Sequence, residues 1–329
     1  MLDVNKLPKK LNEYNYFEKQ ENGGCILYSY SQKNDVYIIS VLEDFEIEKS
    51  FCVDEQAMKM LKLLSPITEM KLDTQFYIKS KKGKYKAQFV AFDKPIIKDD
   101  YDNEIKVNLS ILNKAMNFVS NKPQRPCLCG VNVNSCGNIL ATDSYIAFYY
   151  QNQDDTDITT LDITLPTDFI KYLNEAVDSD VVDIKFNEMN CMVKDGNNTY
   201  ISRLIAGNYP DMTKILNGIA SCNPITFDYE DLKEKLNLAS NIIGEKGSSQ
   251  ILTFANDYFK AEGNDSYEAE LKGNTEVEYQ FSILHSNLKP IFYCLDGNNN
   301  NLSMYYKEPL KPIYFKEGKT TYLALPLKK

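Results

Sequence analysis

The strongest constraint on the fold is a signature that occurs three times along the 329-residue sequence. Each copy has a lysine, a second charged residue and a glycine, followed by a tyrosine and an apolar-rich stretch. The glycines are Gly83, Gly196 and Gly318, so the copies recur at intervals of 113 and 122 residues. A glycine between two strands suits the positive φ of a hairpin turn. The signature therefore predicts three related units, with strands over residues 85–90, 200–205 and 322–327.

Amphipathic helices recur together with these hairpins. Apolar residues at helical spacing predict helices over residues 54–64, 166–176 and 282–295. Asp54 suits an N-cap, Pro166 suits a first turn, and Pro290 is expected to kink or shorten the third helix. A second class of helix is predicted over 109–119 and 229–240, with a weaker counterpart over 7–14. Strands and two helices per unit indicate an α+β fold.

Polar stretches near residues 99–103 and 218–223 separate the three units. We therefore predict a first domain over 1–103, a second over 104–222 and a third over 223–329. The alternative is a three-domain protein whose similar hairpins are unrelated.

Composition indicates an ordinary globular protein, with 43% hydrophobic and 25% charged residues. No run approaches the roughly 18 apolar residues that a membrane span requires. Residues 1–6 lack the apolar core of a signal peptide. We therefore expect a cytoplasmic protein.

The cysteine pattern argues against disulfides and against zinc. The sequence has eight cysteines and one histidine, and no Cys-x-x-Cys pair. The closest two, Cys127 and Cys129, lie in a run that resembles a strand. A zinc site would need ligands that are nearly all cysteine. We therefore expect buried, reduced thiols and no metal or other cofactor.

The formal net charge of −9 is unusual for a protein that binds DNA, because phosphate contacts usually need a basic surface. Net charge is a sum, however, and an acidic exterior can coexist with a basic strip. The charge alone therefore does not exclude DNA binding.

An enzyme is the rival class of function. His285 is the only histidine that could act as a base, and it lies among apolar helix positions. Residues 244–249 superficially resemble a phosphate loop but lack the order that places lysine on the phosphates. Asp99, Asp100 and Asp102 fit an acidic linker better than a metal site. No catalytic residue is predicted.

Four short motifs occur in order along the chain. They are residues 43–48 (EDFEIE), 128–131 (LCGV) with 141–145 (ATDSY), 202–205 (SRLI) with Gly207 and 209–211 (YPD), and 322–327 (YLALPL). Together these motifs resemble the bacterial DNA polymerase III beta subunit, the sliding clamp. The sequence departs from that family where Ile146, Ala147 and Phe148 replace its usual Arg-Leu-Ala. The helix that begins Thr167-Asp168 also lacks the family's basic start, and the first repeat is short. These departures suit a divergent clamp from a phage or mobile element.

The resemblance implies a non-catalytic processivity factor for DNA replication. Its fold would be three repeated clamp domains per subunit, with antiparallel sheets outside and helices inside a head-to-tail dimeric ring. The ring would encircle double-stranded DNA without regard to sequence and tether the polymerase catalytic subunit, after assembly by a clamp loader. A clamp-like adaptor that binds polymerase or loader without closing a ring is the alternative.

The resemblance also implies two sets of site residues. Basic residues on or beside the predicted helices are expected to contact phosphate through long, water-bridged interactions. Lys122 and Arg125, in the loop after a predicted inner helix, are the favoured pair. The candidates are Lys122, Arg125, Lys59, Lys62, Lys114, Lys171, Lys233, Lys235 and Lys289, together with Lys9 and Lys10.

The second set is an apolar pocket between domains two and three for a short peptide of the partner. Leu128 and Ile215 could equally be ordinary core residues. The predicted walls are Leu128, Thr142, Ser144, Tyr145, Ile146, Pro210, Ile215, Leu323, Leu325, Pro326 and Leu327.

Overall fold

The structure is a computed structural model with two compact units. One unit contains Met1–Asn113 and Leu165–Ala206, and the other contains Lys114–Thr164 and Gly207–Lys329. The structure describes residues 7–8, 12–94, 100–122, 124–152, 162–243, 250–256, 258–263, 265–271, 273–274, 278–296 and 301–328. The predicted three-domain division stays a prediction.

The elements up to residue 115 come in this order. They are β1 (Tyr14–Lys19), β2 (Cys25–Ser31), β3 (Val36–Leu42), β4 (Phe51–Asp54), α1 (Glu55–Leu63), β5 (Glu69–Leu72), β6 (Phe76–Ser80), β7 (Gly83–Ala87), β8 (Asn103–Asn108) and α2 (Leu109–Ala115). Short 3-10 turns follow at Met116–Phe118 and Pro126–Cys129.

The middle of the chain continues with five strands, a helix and two further strands. They are β9 (Gly130–Val133), β10 (Ile139–Thr142), β11 (Ile146–Tyr150), β12 (Ile163–Pro166), α3 (Thr167–Ala176), β13 (Val181–Phe186), β14 (Asn190–Asp195) and β15 (Asn198–Arg203).

The remaining elements begin with a one-turn helix. They are α4 (Thr213–Leu216), a 3-10 turn at Asn217–Ser221, β16 (Asn223–Asp228), α5 (Tyr229–Ile243), β17 (Ile251–Ala255), β18 (Tyr258–Glu262), β19 (Ser266–Glu270), β20 (Gly273–Asn274), β21 (Gln280–Leu284), α6 (His285–Cys294), β22 (Asn301–Tyr306), β23 (Ile313–Glu317) and β24 (Thr320–Ala324).

The unit that contains β1 has an eight-stranded sheet in the order β4-β1-β2-β3-β15-β14-β13-β8 and a three-stranded sheet, β5-β6-β7. All neighbouring strands of the eight-stranded sheet pair in an antiparallel direction. Its central pair joins β3 to β15, with Ile38 opposite Tyr200. Strands from the first and second sequence repeats thus share one sheet.

The other unit has a four-stranded sheet, β19-β18-β17-β21, and a nine-stranded sheet in the order β12-β9-β10-β11-β24-β23-β22-β16-β20, of whose end strand β12 it contains residues 163–164. Its central pair joins β11 to β24 antiparallel, with Phe148 opposite Tyr322. Strands from the second and third repeats therefore share this sheet. Antiparallel sheets with amphipathic helices confirm the predicted α+β class.

The repeated hairpins form where the sequence predicts them. Gly196 and Gly318 have φ of 55° and 56° and begin two-residue turns, since Asp195 pairs with Asn198 and Glu317 with Thr320. Positive φ at the first turn residue suits the right-handed twist of the paired strands. The first copy differs, because Ser80 pairs with Gly83 and the turn itself is residues 81–82. Gly83 therefore opens β7 instead of occupying the turn.

The helix predictions hold for α1, α3 and α5, which lie within three residues of the expected bounds, and for α2, which ends four residues early at Ala115 and continues as the 3-10 turn Met116–Phe118. Two predictions need correction. Helix α6 begins at His285, not at Ser282, because residues 282–284 pair with β17 as part of β21. No helix is seen at the described residues of 7–14, where Tyr14 already belongs to β1. Residues 9–11 lie outside the described residues.

The cysteines are all free, as expected, but only half are buried. Burial raises the pKa of the thiols of Cys52 and Cys294 to about 11, which keeps them protonated and inert. Cys127 and Cys129 are partly exposed and lie in a 3-10 turn instead of the expected strand. Among the described residues no group of histidine, cysteine and carboxylate side chains could hold a metal. No described helix has the length and apolar character of a membrane span.

Helix α1 shows how the sequence sets an element boundary. The Asp54 carboxylate accepts a hydrogen bond of 2.8 Å from the Ala57 N–H, as an N-cap should. Ala57, Met58 and Leu61 are then buried on one face of the helix, in the core with Phe17 and other apolar residues. The cap fixes where the helix starts, and therefore which face meets the core.

We predict that Asp54→Ala lowers the free energy of unfolding by about 1 kcal/mol, because an N–H at the helix start loses its acceptor. Asp54→Asn is the matched control, since its amide oxygen is also a good cap and should retain most of the stability. Urea denaturation of the three proteins measures the difference. Equal losses in both variants would show that the charge of Asp54, not its cap, stabilises this region.

Candidate functional site

A tight turn at residues 143–145 lies between β10 and β11. The Asp143 carboxylate accepts hydrogen bonds from the backbone N–H groups of Tyr145 (2.8 Å) and Ile146 (2.9 Å). Ser144 has a φ of 84°, a conformation that few residues other than glycine adopt. This turn leaves the Tyr145 side chain 52% exposed directly before the buried Ile146. A large aromatic ring is thus presented to solvent on a well-fixed backbone.

Thr142 connects this turn to a second segment. Its hydroxyl donates to the Ile146 carbonyl (2.6 Å) and accepts from the Ser144 N–H (3.1 Å). Its own N–H donates to the Tyr209 hydroxyl at 3.0 Å. Burial raises the pKa of Tyr209, so the phenol remains protonated. Tyr209 therefore fixes the neighbouring Pro210 relative to the turn.

The apolar segment at residues 323–327 is held against the same turn. Leu323 is buried with Ala147 and Tyr314, and Leu325 packs against this cluster. The Leu325 N–H donates to the Tyr145 carbonyl at 2.9 Å, and the Leu327 N–H donates to the Ser282 carbonyl at 2.7 Å. The side chains of residues 325–327 remain half-exposed. The segment is therefore ordered by its backbone while it still offers apolar surface.

Helix α4 completes the surface. The Tyr314 hydroxyl donates a hydrogen bond of 2.6 Å to the Ile215 carbonyl, while the Tyr314 ring packs with Leu323. Met212 and Ile219 also pack against this cluster. The Ile215 side chain is 39% exposed, so it is a surface residue and not a core residue. Leu128, in contrast, is buried in its 3-10 turn.

Ten of the eleven predicted pocket residues thus lie in the turn, in the apolar segment or in the α4 region, and hydrogen bonds and apolar contacts join these three regions. The exception is Leu128, which is buried. A cavity of about 570 Å³ lies nearby, but Pro210 is the only predicted wall residue that lines it. Sequence reasoning missed the residues that position the surface, which are Asp143, Tyr209 and Tyr314. The first two lie inside the ATDSY and YPD motifs, where a bonding role for their polar groups could have been inferred.

Lys122 and Arg125, predicted to contact DNA, lie beside this surface. The Lys122 ammonium is 5.6 Å from the centre of the Tyr145 ring, within the range of a cation–π interaction. The Arg125 guanidinium donates to the Ser144 hydroxyl at 3.4 Å. Both side chains are exposed. The apolar surface therefore has a basic margin.

The remaining predicted DNA contacts lie on helices that are close to electrically neutral. Helices α1, α2, α3, α5 and α6 together carry seven lysines and six carboxylates, against a net charge of −9 for the chain. Most of these lysines have acidic partners. Five ion pairs among the described residues are Lys59 with Glu55, Lys114 with Asp296, Lys171 with Asp168, Lys233 with Glu230 and Lys235 with Asp231.

Lys62 differs from the other helix lysines because its ammonium binds a backbone carbonyl. Its ammonium donates to the Pro8 carbonyl at 2.6 Å, and burial lowers its pKa. A lysine held inside its own unit has less freedom to reach a phosphate than an exposed one. Lys9 and Lys10 lie outside the described residues. The phosphate-contact set remains a prediction.

Lys233 and Lys289 line one cleft of about 590 Å³ between α5 and α6. Tyr293, which is 78% exposed, lines the same cleft. His285 forms part of its wall, and its Nε2 is 2.7 Å from the Ser240 hydroxyl oxygen. That hydroxyl donates to the Leu236 carbonyl, so its oxygen accepts a hydrogen bond from the Nε2–H of a neutral imidazole. His285 therefore links two helices.

Comparisons with known proteins found bacterial DNA polymerase III beta subunits. Residues 105–211 match the family model of the DNA polymerase III beta subunit, central domain. The beta sliding clamp of Staphylococcus epidermidis is 25% identical over 256 residues, and that of Staphylococcus aureus is 24% identical over 250. Each alignment covers 69% of this chain but only 64% of the relative's length.

Solved structures extend the likeness to nearly the whole chain. A putative DNA polymerase III beta subunit from Eubacterium rectale has a TM-score of 0.80 at 14% identity, covering 99% of this chain and 96% of its own. The Bacillus subtilis DNA polymerase sliding clamp has a TM-score of 0.78 at 17% identity, covering 96% and 91%. The beta subunit from the DNA polymerase of Streptococcus pyogenes has a TM-score of 0.79 at 16% identity, and the match covers 99% of this chain and 96% of that one. The chain has the sliding-clamp fold.

We predict that His285 makes stability depend on pH. Desolvation, and then the positive charge of Lys289, lower the pKa of His285 in the folded protein below its usual value near 6.5. The unfolded chain therefore binds a proton that the folded chain does not, so stability falls as pH drops below about 6.5. The slope for this one group is at most about 1.4 kcal/mol per pH unit.

The measurement is urea unfolding of the wild type and of His285→Gln between pH 5 and 8. The wild type should lose stability on acidification faster than the variant, because the sequence has no other histidine. Parallel curves for the two proteins would mean that the imidazole accepts a proton without breaking its contacts.

Proposed function

We propose that this chain, a divergent relative of the bacterial DNA polymerase III beta subunits, is a DNA sliding clamp. Two copies would encircle duplex DNA and tether a replicative polymerase, as a non-catalytic subunit in the cytoplasm. The observation that carries the proposal is the hydrogen bond from Leu325 to Tyr145, which orders an apolar segment beside an exposed ring. A docking surface of this kind serves a tether that several partners share.

The arrangement of charge supports a topological hold on DNA. Strong, direct phosphate binding needs many unpaired basic groups, because each neutralised phosphate adds to affinity. Here lysines on the helices are balanced by carboxylates on the same helices, so direct affinity should be weak. Weak contacts let a protein slide along DNA, while a closed ring prevents the protein from dissociating from the DNA. The proposed DNA contacts are the predicted lysines and Arg125, with a clamp loader to open the ring.

Three domains per subunit, over residues 1–103, 104–222 and 223–329, belong to this proposal. Six such domains would form the ring from two copies. A polymerase catalytic subunit would dock an extended peptide on the surface formed by Tyr145, Ile215 and residues 325–327. Half-exposed apolar side chains on a fixed backbone bind such a peptide at a low cost in ordering of the clamp itself.

Retention on DNA tests the proposal directly. We expect the protein, loaded on a nicked circular plasmid by a bacterial clamp loader, to co-elute with the plasmid in gel filtration near 0.15 M salt. Cutting the plasmid once with a restriction enzyme should release most of the protein within minutes, because a ring slides off a free end. Equal retention on circular and linear DNA would contradict a topological hold. Loss from both would favour an adaptor that does not close a ring.

The partner surface has its own test, in the segment at residues 325–327. We predict that Leu325→Ala with Leu327→Ala weakens binding of a labelled clamp-binding peptide from a bacterial replicative polymerase by about tenfold to a hundredfold. The two side chains are already half-buried, so a docked peptide gains only about 1–3 kcal/mol from covering the rest. Both backbone hydrogen bonds of the segment are kept in this variant.

Fluorescence anisotropy with the peptide measures the affinity. Leu310→Ala is the matched control, since Leu310 is 59% exposed and lies outside the segment. Unchanged affinity in the double variant, with a thermal unfolding midpoint like that of the control, would place the peptide elsewhere on the protein.

A further inference from the structure

The cleft of about 590 Å³ between α5 and α6 lies within one unit, which contains both helices. Its walls combine apolar side chains with lysine, asparagine, serine and histidine side chains. A concave site of this size, with an apolar lining and a few convergent polar groups, is typical of a site for a small molecule. None of its lining residues belongs to the partner surface proposed above. The cleft is therefore a separate candidate site.

Two hydrogen bonds fix the helices on either side of the cleft. The Ser240 hydroxyl is 2.7 Å from His285 Nε2, and this contact joins the last part of α5 to the first residue of α6. The Tyr229 hydroxyl donates to the Leu295 carbonyl at 3.2 Å, and this bond joins the first residue of α5 to the residue after α6. The two helices are therefore antiparallel, and the side chains between these two bonds line the middle of the cleft.

The side chains in the middle of the cleft form two stripes at helical spacing. Lys233 and Asn237 of α5 are four residues apart, and so are Lys289 and Tyr293 of α6, so each pair shares one face of its helix. Because the helices are antiparallel, Lys233 lies towards the Tyr293 end of the cleft and Asn237 towards the Lys289 end. All four residues are exposed. The cleft thus offers two ammonium groups, a carboxamide and an aromatic ring to one ligand.

The rest of the lining is apolar and well fixed. Leu236 and Leu288 line the cleft and are buried. Phe292 is half-buried, and its ring meets that of Phe315 in β23 edge to face, with centroids 6.0 Å apart. The neighbouring Tyr293 is 78% exposed. A planar ligand that covers the Tyr293 ring would therefore bury apolar surface that the chain itself leaves in water.

The two lysines make the cleft locally positive in a chain whose formal net charge is −9. The Lys233 ammonium lies 5.1 Å from the centre of the Tyr229 ring and pairs with Glu230 at 3.9 Å, where both charged groups are exposed. Lys289 forms no ion pair with a described residue. Exposed ion pairs are weak, so an anion would gain two positive charges and disturb little that is already formed.

We propose that the α5–α6 cleft binds one nucleotide whose base is unpaired. The base would stack on the Tyr293 ring, and the Asn237 carboxamide would bond to its edge. Lys233 and Lys289 would hold the 5′-phosphate. Every base has an aromatic face that can stack on tyrosine, and a carboxamide both donates to and accepts from a base edge. The inference goes beyond the proposed function, since it requires neither a closed ring nor a partner protein.

Two sources can supply this ligand, a free nucleotide and an unpaired nucleotide of a DNA strand. Fully paired duplex is not a source, because taking a base out of the duplex costs unpairing and unstacking energy. Contacts to the phosphate backbone alone carry no information about the bases. Discrimination between paired and unpaired nucleotides therefore separates this cleft from the phosphate contacts proposed for the helices.

The experiment uses the full-length protein in the absence of other DNA and follows 2′-deoxyadenosine 5′-monophosphate by ligand-observed NMR. We expect a dissociation constant of about 1 mM or below. Deoxyadenosine alone and inorganic phosphate alone should each bind about tenfold more weakly, because each fills only one part of the site.

Variants test the two parts of the site. Tyr293→Ala should weaken binding about fivefold to a hundredfold, the range that base–aromatic stacking spans, whereas Tyr293→Phe keeps the ring and should bind like the wild type. Lys233→Gln with Lys289→Gln should weaken binding about fivefold at low salt and remove most of its salt dependence. Lys33→Gln with Lys194→Gln is the matched control, since both residues are exposed and lie in the other unit.

Competition identifies the source of the nucleotide. Displacement of the mononucleotide by a short single-stranded oligonucleotide of deoxyadenosine would identify a DNA strand, and binding without such displacement would identify the free nucleotide. A relaxed, covalently closed plasmid at the same nucleotide concentration should compete poorly, because its bases are paired.

Four results would each overturn the proposal. The first is no binding of the mononucleotide at about 1 mM. The second is equal binding of inorganic phosphate, which would mark a general anion site. The third is a Tyr293→Ala variant that binds like the wild type while its thermal unfolding midpoint is unchanged. The fourth is equal competition by closed plasmid and single strand, which would leave the lysines as contacts to the phosphate backbone only.

Discussion

The fold depends on strand pairing between repeats that are distant in sequence. In one unit β3 pairs with β15, and in the other β11 pairs with β24. Each pair lies in the middle of its sheet, so losing it would leave two edges with unpaired backbone groups. The Ser40 hydroxyl donates to the Asn198 side chain at 2.7 Å across the first pair. Repeats that share sheets in this way are not expected to fold as independent domains.

Aromatic packing supports the second of these pairs. Phe148 of β11 and Tyr322 of β24 lie opposite each other, and Phe118 packs on both, with ring centroids 5.5–5.8 Å apart. All three rings are buried. Such contacts are worth more than their buried area alone, because the rings meet at tilted or edge-to-face angles. The register of this pair is therefore fixed by side chains as well as by hydrogen bonds.

The sequence predicted the elements well where local chemistry determines them. Asp54 as a cap, Gly196 and Gly318 at hairpin corners and apolar spacing in α3 and α5 are properties of neighbouring residues. The start of α6 was wrong, because Ser282 is drawn into a strand by its pairing with Thr253 of β17. Helical spacing at residues 282–284 contains no information about a partner strand 29 positions earlier. Tertiary pairing overrode local propensity there.

Only part of the candidate site can be predicted from the sequence. The motifs predict that Thr142, Tyr145 and Leu325 belong to the site, but they do not predict which of these residues contact one another. The role of Tyr314 could not be read from a motif, since its hydroxyl bonds to a carbonyl 99 positions earlier. The partial burial of the thiols also depends on packing that composition does not describe. Contacts across such distances need the fold before they can be inferred.

The register of β11 and β24 explains why the site lies where it does. The two strands are antiparallel and Ile146 pairs with Ala324, so the residue before β11 meets the residue after β24. Those residues are Tyr145 and Leu325, and the hydrogen bond between their backbones continues the ladder by one step. The positive φ of Ser144 then ends the pairing and turns Tyr145 outward. The same pairing that joins two repeats thus brings two distant motifs together as one apolar surface.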